Sequence, residues 1–269
     1  MTSSGKITRW VVTAPPTLFL LAFFLVPALI VVIASVREPG EFGGLAPWSG
    51  LSLEAYSFLA TDVIYGEIIL RSFAIALLTT LACVVIAYPL AWLIARSPKK
   101  RRDLLVLLVI LPFASNFLVR IYAWIMLLGP LGLLYTPTAV IAGMVYVHLP
   151  FMILPLYTNL EKHDPALLEA AQDLGAGTWT RFWRVTWPLS LPGVFSGAVL
   201  VFIPVLGMFA VPELLGGTGD ILIGNLIKEQ FLDNRDWPLG ATLSLGLTAA
   251  VLAVAGVSAR LTRGRGAAA

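Results

Sequence analysis

The sequence predicts an all-α membrane protein with six transmembrane helices, and three observations carry that prediction. Of 269 residues, 58% are hydrophobic and only 12% are charged, whereas a soluble domain carries about 25% charged residues. Six apolar runs, approximately 14–36, 69–95, 104–128, 138–160, 193–213 and 239–259, are each long enough to cross a bilayer. Lys and Arg gather on alternate intervals between those runs, as membrane orientation requires. The whole chain, 1–269, reads as a single transmembrane domain.

The first run follows Lys6 and Arg9. It is too long for the apolar part of a signal peptide, and no A-x-A cleavage site follows, so it reads as a retained span. The interval 37–68, "REPGEFGGLAPWSGLSLEAYSFLATD" and beyond, has turn residues and predicts a short interfacial helix around Ser52–Leu59. The second, third and fourth runs contain Pro89, Pro112, and Pro150 with Pro155. These read either as ordinary kinks or as bends that shape a pathway, since neighbouring helices re-satisfy freed backbone groups. Cys83 lies in an apolar run and reads as a small buried hydrophobe.

With the N-terminus inside, thirteen basic residues fall on the inner side. They are Lys6, Arg9, Arg96, Lys99, Lys100, Arg101, Arg102, Lys162, Arg181, Arg184, Arg260, Arg263 and Arg265. Five fall outside or within spans: Arg37, Arg71, Arg120, Lys228 and Arg235. Both termini are therefore expected in the cytoplasm. "SPKKRRD" becomes a cytoplasmic hairpin, and its basic run reads as a topology anchor, not a nucleic-acid site.

The longest polar interval with helical patterning is "HDPALLEAAQDLG" followed by "AGTWTRFWRVTWPLSLPG". Asp164 suits an N-cap and Pro165 the first helical position. Gly175 suits the left-handed residue that closes a helix. Ala166, Ala170 and Ala171 make a small, smooth surface. Thr178 is expected to cap a second helix, Trp179–Trp187, with Trp179, Phe182 and Trp183 on one apolar face and Pro188 as its stop. The expected form is helix, sharp turn, helix. An interfacial helix that merely anchors a loop fits the same residues.

The last long interval, 216–240, predicts a loop, a short amphipathic helix near Leu222–Phe231, and a turn. Span six carries small residues, Gly240, Ala241, Ser244, Gly246, Ala249 and Ala250, which allow close helix packing.

Bond chemistry finds little support. No phosphate-binding G-x-x-x-x-G-K-[ST] loop is present in the sequence. No cofactor is implied, and His148 and His163 are not at metal-ligand spacing. "GTGD" at 217–220 superficially matches an intramembrane aspartyl protease motif, yet it falls in a polar loop and no span carries a second aspartate.

Charges inside or at the ends of spans are costly and point to function by default. Arg120 lies 16 residues into run three, about 24 Å along a straight helix, near the outer headgroups. Glu213 ends run five. Either could line a pathway, and either could be a structural ion partner. Tyr122 and Trp124 read as belt residues or as pathway contacts. Asp233, Arg235, Asp236 and Trp237 form an outer polar cluster suited to docking or to loop structure.

The elbow resembles the EAA loop of ATP-binding-cassette importer permeases. Glu169-Ala170-Ala171, three residues, then Gly175, with Trp187-Pro188-Leu189 and Leu191-Pro192-Gly193 beyond, carry the likeness. Val185-Thr186-Trp187-Pro188 stands where an aliphatic-x-Leu-Pro is usual. "NFLVRIYAWIMLLG" (116–129), "GMFAVPELLGG" (207–217) and "LIGNLIKEQFLDNRDWPLGATLSL" (222–245) are similar to the first membrane subunit of spermidine/putrescine importers.

The resemblance implies the type I importer permease fold in a bacterial cytoplasmic membrane. The loop of about 161–192 would be the coupling element, with Glu169, Ala170, Ala171, Asp173 and Gly175 contacting the ATPase. The implied partners are a second homologous permease, two ATPase subunits, a periplasmic or lipid-anchored binding protein, and membrane lipid. The implied cargo is a polyamine, or another small amine or amino-acid-like solute. A stand-alone channel or secondary transporter is the rival reading, and it leaves the elbow unexplained.

Overall fold

The structure is a computed structural model that describes residues 3–47 and 51–266, with side chains described for 12–47 and 51–256. The basic side chains of Lys6, Arg9, Arg260, Arg263 and Arg265, and the tryptophan of the first outer interval, lie outside the described residues. The helices, in order, are α1 (Ser3–Leu20), α2 (Val26–Ser35), α3 (Glu54–Thr61), α4 (Val63–Arg96), α5 (Lys99–Ile110), α6 (Phe117–Leu128) and α7 (Pro137–Leu160). Then come α8 (Pro165–Asp173), α9 (Thr178–Arg181), α10 (Trp187–Leu206), α11 (Ala210–Leu215), α12 (Ile223–Leu232) and α13 (Trp237–Gly266). Among the described residues, five helices are long and apolar enough to span a membrane, and a bent pair brings the number to six if it is one broken span.

Two compact units divide the chain, Met1–Gly66 with Leu226–Ala249, and Glu67–Asn225 with Ala250–Ala269. In the first unit, the Ser35 and Tyr56 hydroxyls pair at 2.8 Å. Thr242 Oγ1 donates to the Ser35 carbonyl at 3.4 Å. The loop after α2 is pinned by Gly44 N, which donates to the Arg235 carbonyl at 2.7 Å. Span one leaves Leu18, Phe19, Phe23 and Phe24 exposed, a surface suited to lipid or to another helix.

In the second unit, α7 is the buried axis. Met144, Met152 and Leu156 are fully enclosed on it, and α10 packs along its length. The close approach is set by Gly193-Val194-Phe195-Ser196-Gly197, a small-xxx-small seam that the sequence reading did not single out. A Cβ on Gly193 would lie 2.7 Å from Asn159 Cβ, and one on Gly197 would lie 2.6 Å from Met152 Sδ. The small residues of span six differ. Gly240 does meet the Phe231 ring, but Gly246 faces open space.

Three boundaries differ from expectation. Run three is not one straight span, because α5 and α6 meet at 94°. Pro112 sits in a 3-10 turn, Leu111–Ala114, Ser115 and Asn116 are extended, and Asn116 Oδ1 accepts from Leu118 N at 2.8 Å to start a new helix. The straight-helix depth of Arg120 therefore does not hold. Run five ends at Leu206, where Gly207 caps α10, so Glu213 lies on the separate α11.

Pro188 does not stop its helix either, since Thr178–Leu206 is continuous. A π-helical turn, Phe182–Thr186, precedes Pro188, just as another, Leu21–Leu25, precedes Pro27. A π turn pairs each carbonyl with the residue five on, so the carbonyl four residues before a proline bypasses the missing N–H.

A structural ion pair explains two charges that the sequence left open. Arg71 on α4 meets Asp220 at 2.5 Å, and Asp220 Oδ2 accepts from Gly217 N at 3.0 Å. The "GTGD" aspartate is thus loop architecture. Ser72 Oγ accepts from Ile223 N at 2.8 Å beside it. Asp220→Ala is expected to destabilise the fold by about 1–3 kcal/mol, less than a fully buried pair because Arg71 is partly exposed. Asp220→Asn, which keeps an acceptor, should be milder. Thermal unfolding in detergent checks the order, and equal melting of the two variants would contradict it.

Candidate functional site

The elbow is built as its punctuation demands. Asp164 Oδ1 accepts from Ala166 N at 2.9 Å, and Pro165 occupies the first turn of α8. At the far end Gly175 has φ +77°. Gly175 N donates to the Gln172 carbonyl at 2.8 Å and Ala176 N to the Ala171 carbonyl at 3.0 Å, the paired bonds of a Schellman closure. The second helix opens differently from expectation. Gly177 is its N-cap, and Thr178 is its first residue and makes no side-chain cap bond.

What α8 does not bury is its main property. Only Leu168 and Ala171 are half-buried, while Ala166, Leu167, Glu169, Ala170, Gln172, Asp173 and Leu174 are exposed. Leu174 is 88% exposed, at the tip of the elbow. A nine-residue helix is marginal in isolation, and this one finds little of its missing cover within the chain. Leu167 and Leu174 were missed by the sequence reading. The signal was present as two leucines flanking the Glu-Ala-Ala face.

Beneath α8, Arg181 Nη1 donates to Gln172 Oε1 at 2.7 Å, tying the two arms of the elbow. The expected apolar face splits. Phe182 turns inward, 5.5 Å from the Tyr88 ring and 6.2 Å from Trp187, while Trp179 and Trp183 stay exposed. Ser190 Oγ donates to the Trp187 carbonyl, so the Tyr88 hydroxyl is the donor in its 2.9 Å bond to Ser190. An apolar groove of about 430 Å³ remains between Leu168, Phe182 and Trp92.

The residues expected along a pathway are only partly brought together. Arg120 sits in the first turn of α6, its Nε buried without a hydrogen-bond partner and its Cζ 6.0 Å from the Phe117 ring. Trp124, one turn on, packs edge to face on Tyr146 of α7 at 5.7 Å. Tyr122 points outward and is 56% exposed. Glu213 is exposed on α11, which packs against α6 and α7. In the 233–237 cluster, Asp236 Oδ1 accepts from Leu239 N at 3.0 Å and caps α13. Arg235 has φ +54°, and its carbonyl holds Gly44. Asp233, Arg235 and Trp237 remain exposed. His148 is buried, donating Nδ1–H to the Met144 carbonyl at 2.8 Å.

Residues 87–263, from the end of α4 through the elbow to α13, match the family of binding-protein-dependent transport system inner membrane components. The chain belongs to that family. Among relatives, the spermidine/putrescine transport system permease protein PotB of Escherichia coli (strain K12) is 42% identical over 249 residues, covering 86% of this chain and 89% of that one. PotB of Haemophilus influenzae is 41% identical, with 86% and 85% covered. The molybdenum transport system permease protein ModB of Mycobacterium bovis is 32% identical, with 71% and 78% covered. The fold is shared with the crystal structure of a bacterial alginate ABC transporter in complex with an alginate pentasaccharide-bound periplasmic protein, at TM-score 0.76, 17% identity and 96% coverage of both chains. This permease thus has the expected all-α importer permease fold, with five to six candidate spans, and it is an inner-membrane transport component.

Proposed function

We propose that this permease carries polyamines, spermidine and putrescine, across the cytoplasmic membrane, driven by ATP hydrolysis in a partner subunit. The observation that carries the substrate is the 42% identity to PotB over 86% of the chain. The observation that supports the drive is α8, a helix capped at both ends and left uncovered. Glu169, Ala170, Ala171, Asp173 and Gly175, with Leu167 and Leu174 added, form the surface that an ATPase subunit covers. The chain does no bond chemistry itself, and the nucleotide site belongs to that partner.

The assembly in this reading holds two permeases, two ATPases and a periplasmic or lipid-anchored binding protein. Residues 1–269 act as one permease domain, with both termini and the elbow in the cytoplasm, as the Lys/Arg bias favours. Arg120, Tyr122, Trp124 and Glu213 border the route, where carboxylate and aromatic faces attract ammonium groups. Asp233, Arg235 and Trp237 meet the binding protein, with Asp236 holding their loop.

The test is purification from native membrane followed by proteoliposome uptake. A second permease and an ATPase should co-purify, and spermidine-loaded binding protein should stimulate ATP hydrolysis. Stimulation by a different solute, with none by polyamines, would replace the substrate. A particle of this chain alone, in several detergents, would favour a channel or secondary transporter.

A further inference from the structure

The turn that leads into α8 is built from three consecutive anchors. Glu161 at the end of α7 pairs with Arg102 of α5 at 2.6 Å. His163 presents Nε2 to the Leu189 carbonyl at 3.2 Å, across 26 residues of chain. Asp164 caps α8 directly afterwards. The middle anchor differs from its neighbours. It joins the start of the elbow to the opening turns of the fifth membrane helix, the two places where the elbow meets the membrane.

The chemistry of that contact is defined. A carbonyl oxygen only accepts, so Nε2 must carry the proton. Burial holds His163 below the ordinary imidazole value; the hydrogen bond to Leu189 works against this, and the neighbouring Arg96 charge adds to it. The neutral ring at pH 7 is then the Nε2–H form, with the donor in place. The acceptor is available for a physical reason. A backbone carbonyl has two lone pairs, so Leu189 can accept from His163 alongside its own helical bond.

Packing alone does not orient α8. Below the turn, α7 and α10 are locked where Gly193 meets Asn159 and Leu156. Above it, α8 is exposed on nearly every side. Its C-terminal half is tied through Gln172 to Arg181. Its N-terminal end is tied through His163 to Leu189.

We infer that His163 is a positioning residue for energy coupling: its Nε2–H, held by the Leu189 carbonyl, clasps the entry of the coupling helix to the fifth membrane helix so that displacement of one moves the other. The inference rests on the coupling role proposed for α8. With the clasp broken, α8 can rock on its partner without carrying the membrane helix along, and ATP is spent without import.

The experiment uses the complete importer in proteoliposomes, with spermidine import and ATP hydrolysis measured together. His163→Ala should lower spermidine imported per ATP about three- to tenfold, the scale of one lost hydrogen bond. His163→Gln places an amide N–H near the Nε2 position and should restore the ratio. His163→Asn, whose amide reaches only the Nδ1 position, should not. A wild-type ratio in His163→Ala overturns the clasp, as do equal ratios in the Gln and Asn variants. If the Ala variant does not assemble, the Gln and Asn comparison still decides. Wild-type complex without substrate-stimulated hydrolysis would instead sink the coupling reading itself, and the clasp with it.

Discussion

Gly175→Pro is expected to abolish substrate-stimulated ATP hydrolysis by the assembled importer while the chain still inserts in the membrane. Gly175 sits at φ +77°, and proline is locked near −65°. Proline also removes the N–H that Gly175 donates to the Gln172 carbonyl at 2.8 Å. The Schellman closure cannot form, at a local cost of about 3 kcal/mol or more. The effect stays local, because the elbow is exposed and the spans hold one another through α7 and α10. What changes is the direction in which α8 and Leu174 are presented.

A graded series separates this account from general damage. A Cβ at position 175 would meet nothing within 4 Å, so sterics with neighbours play no part and only the backbone conformation matters. Asn tolerates the left-handed region and should couple nearly as well as Gly. Ala should lose little, about 1 kcal/mol of elbow stability. A β-branched Val should be worse, and Pro worst. Normal transport by the Pro variant, or an order that ignores φ preference, would falsify the hinge. Each variant is scored by uptake, stimulated hydrolysis and membrane accumulation together.

The ends of the elbow were legible because capping chemistry is local. Asp164, Pro165 and Gly175 each act within four residues of themselves, and a sequence window contains everything they need. Two short helices, Glu54–Thr61 and Ile223–Leu232, were legible from their amphipathic patterning between turn residues. The 94° break between α5 and α6 was not. Apolar content runs on through Leu111–Leu118, so the hydropathy signal reads one span. Only Pro112 and the capping Asn116 hint at two helices. The helix through Pro188 misled in the opposite sense, because a π turn hides the proline at no sequence-visible cost.

Charges were harder still. Arg71 and Asp220 are 149 residues apart, and nothing local couples them. A lone arginine in an apolar helix demands a partner, but the sequence does not say which carboxylate supplies it. Leu174 shows the remaining limit. Its side chain is readable as apolar, yet its 88% exposure follows from the turn at Gly175, which aims it away from the rest of its own chain.

Gly197→Leu is expected to unfold the pairing of α7 and α10, whereas Gly246→Leu should leave the isolated chain as stable as before. At Gly197 an added Cβ would stand 2.6 Å from Met152 Sδ, 3.2 Å from its carbonyl oxygen and 3.3 Å from its Cα. The sulfur could swing aside, but the α7 backbone could not, and Met152 is fully buried with no space to take the displaced atoms. Overpacking of this kind costs about 1–3 kcal/mol, or a fall in melting temperature of roughly 3–10 °C for a chain of this size. In lipid no hydrophobic force re-forms the pair once the backbones are held apart, because close packing is itself the attraction. Gly246 has nothing within 4 Å of a Cβ and is exposed. Its substitution therefore reads a surface that lipid or another chain covers. If Gly246→Leu melts like the wild-type chain but fails to co-purify with a second permease, the small-residue stripe of span six is an interface between subunits. If Gly197→Leu melts like wild type, α7 and α10 are not held by the glycine seam, and the centre of the second unit must owe its cohesion to something else.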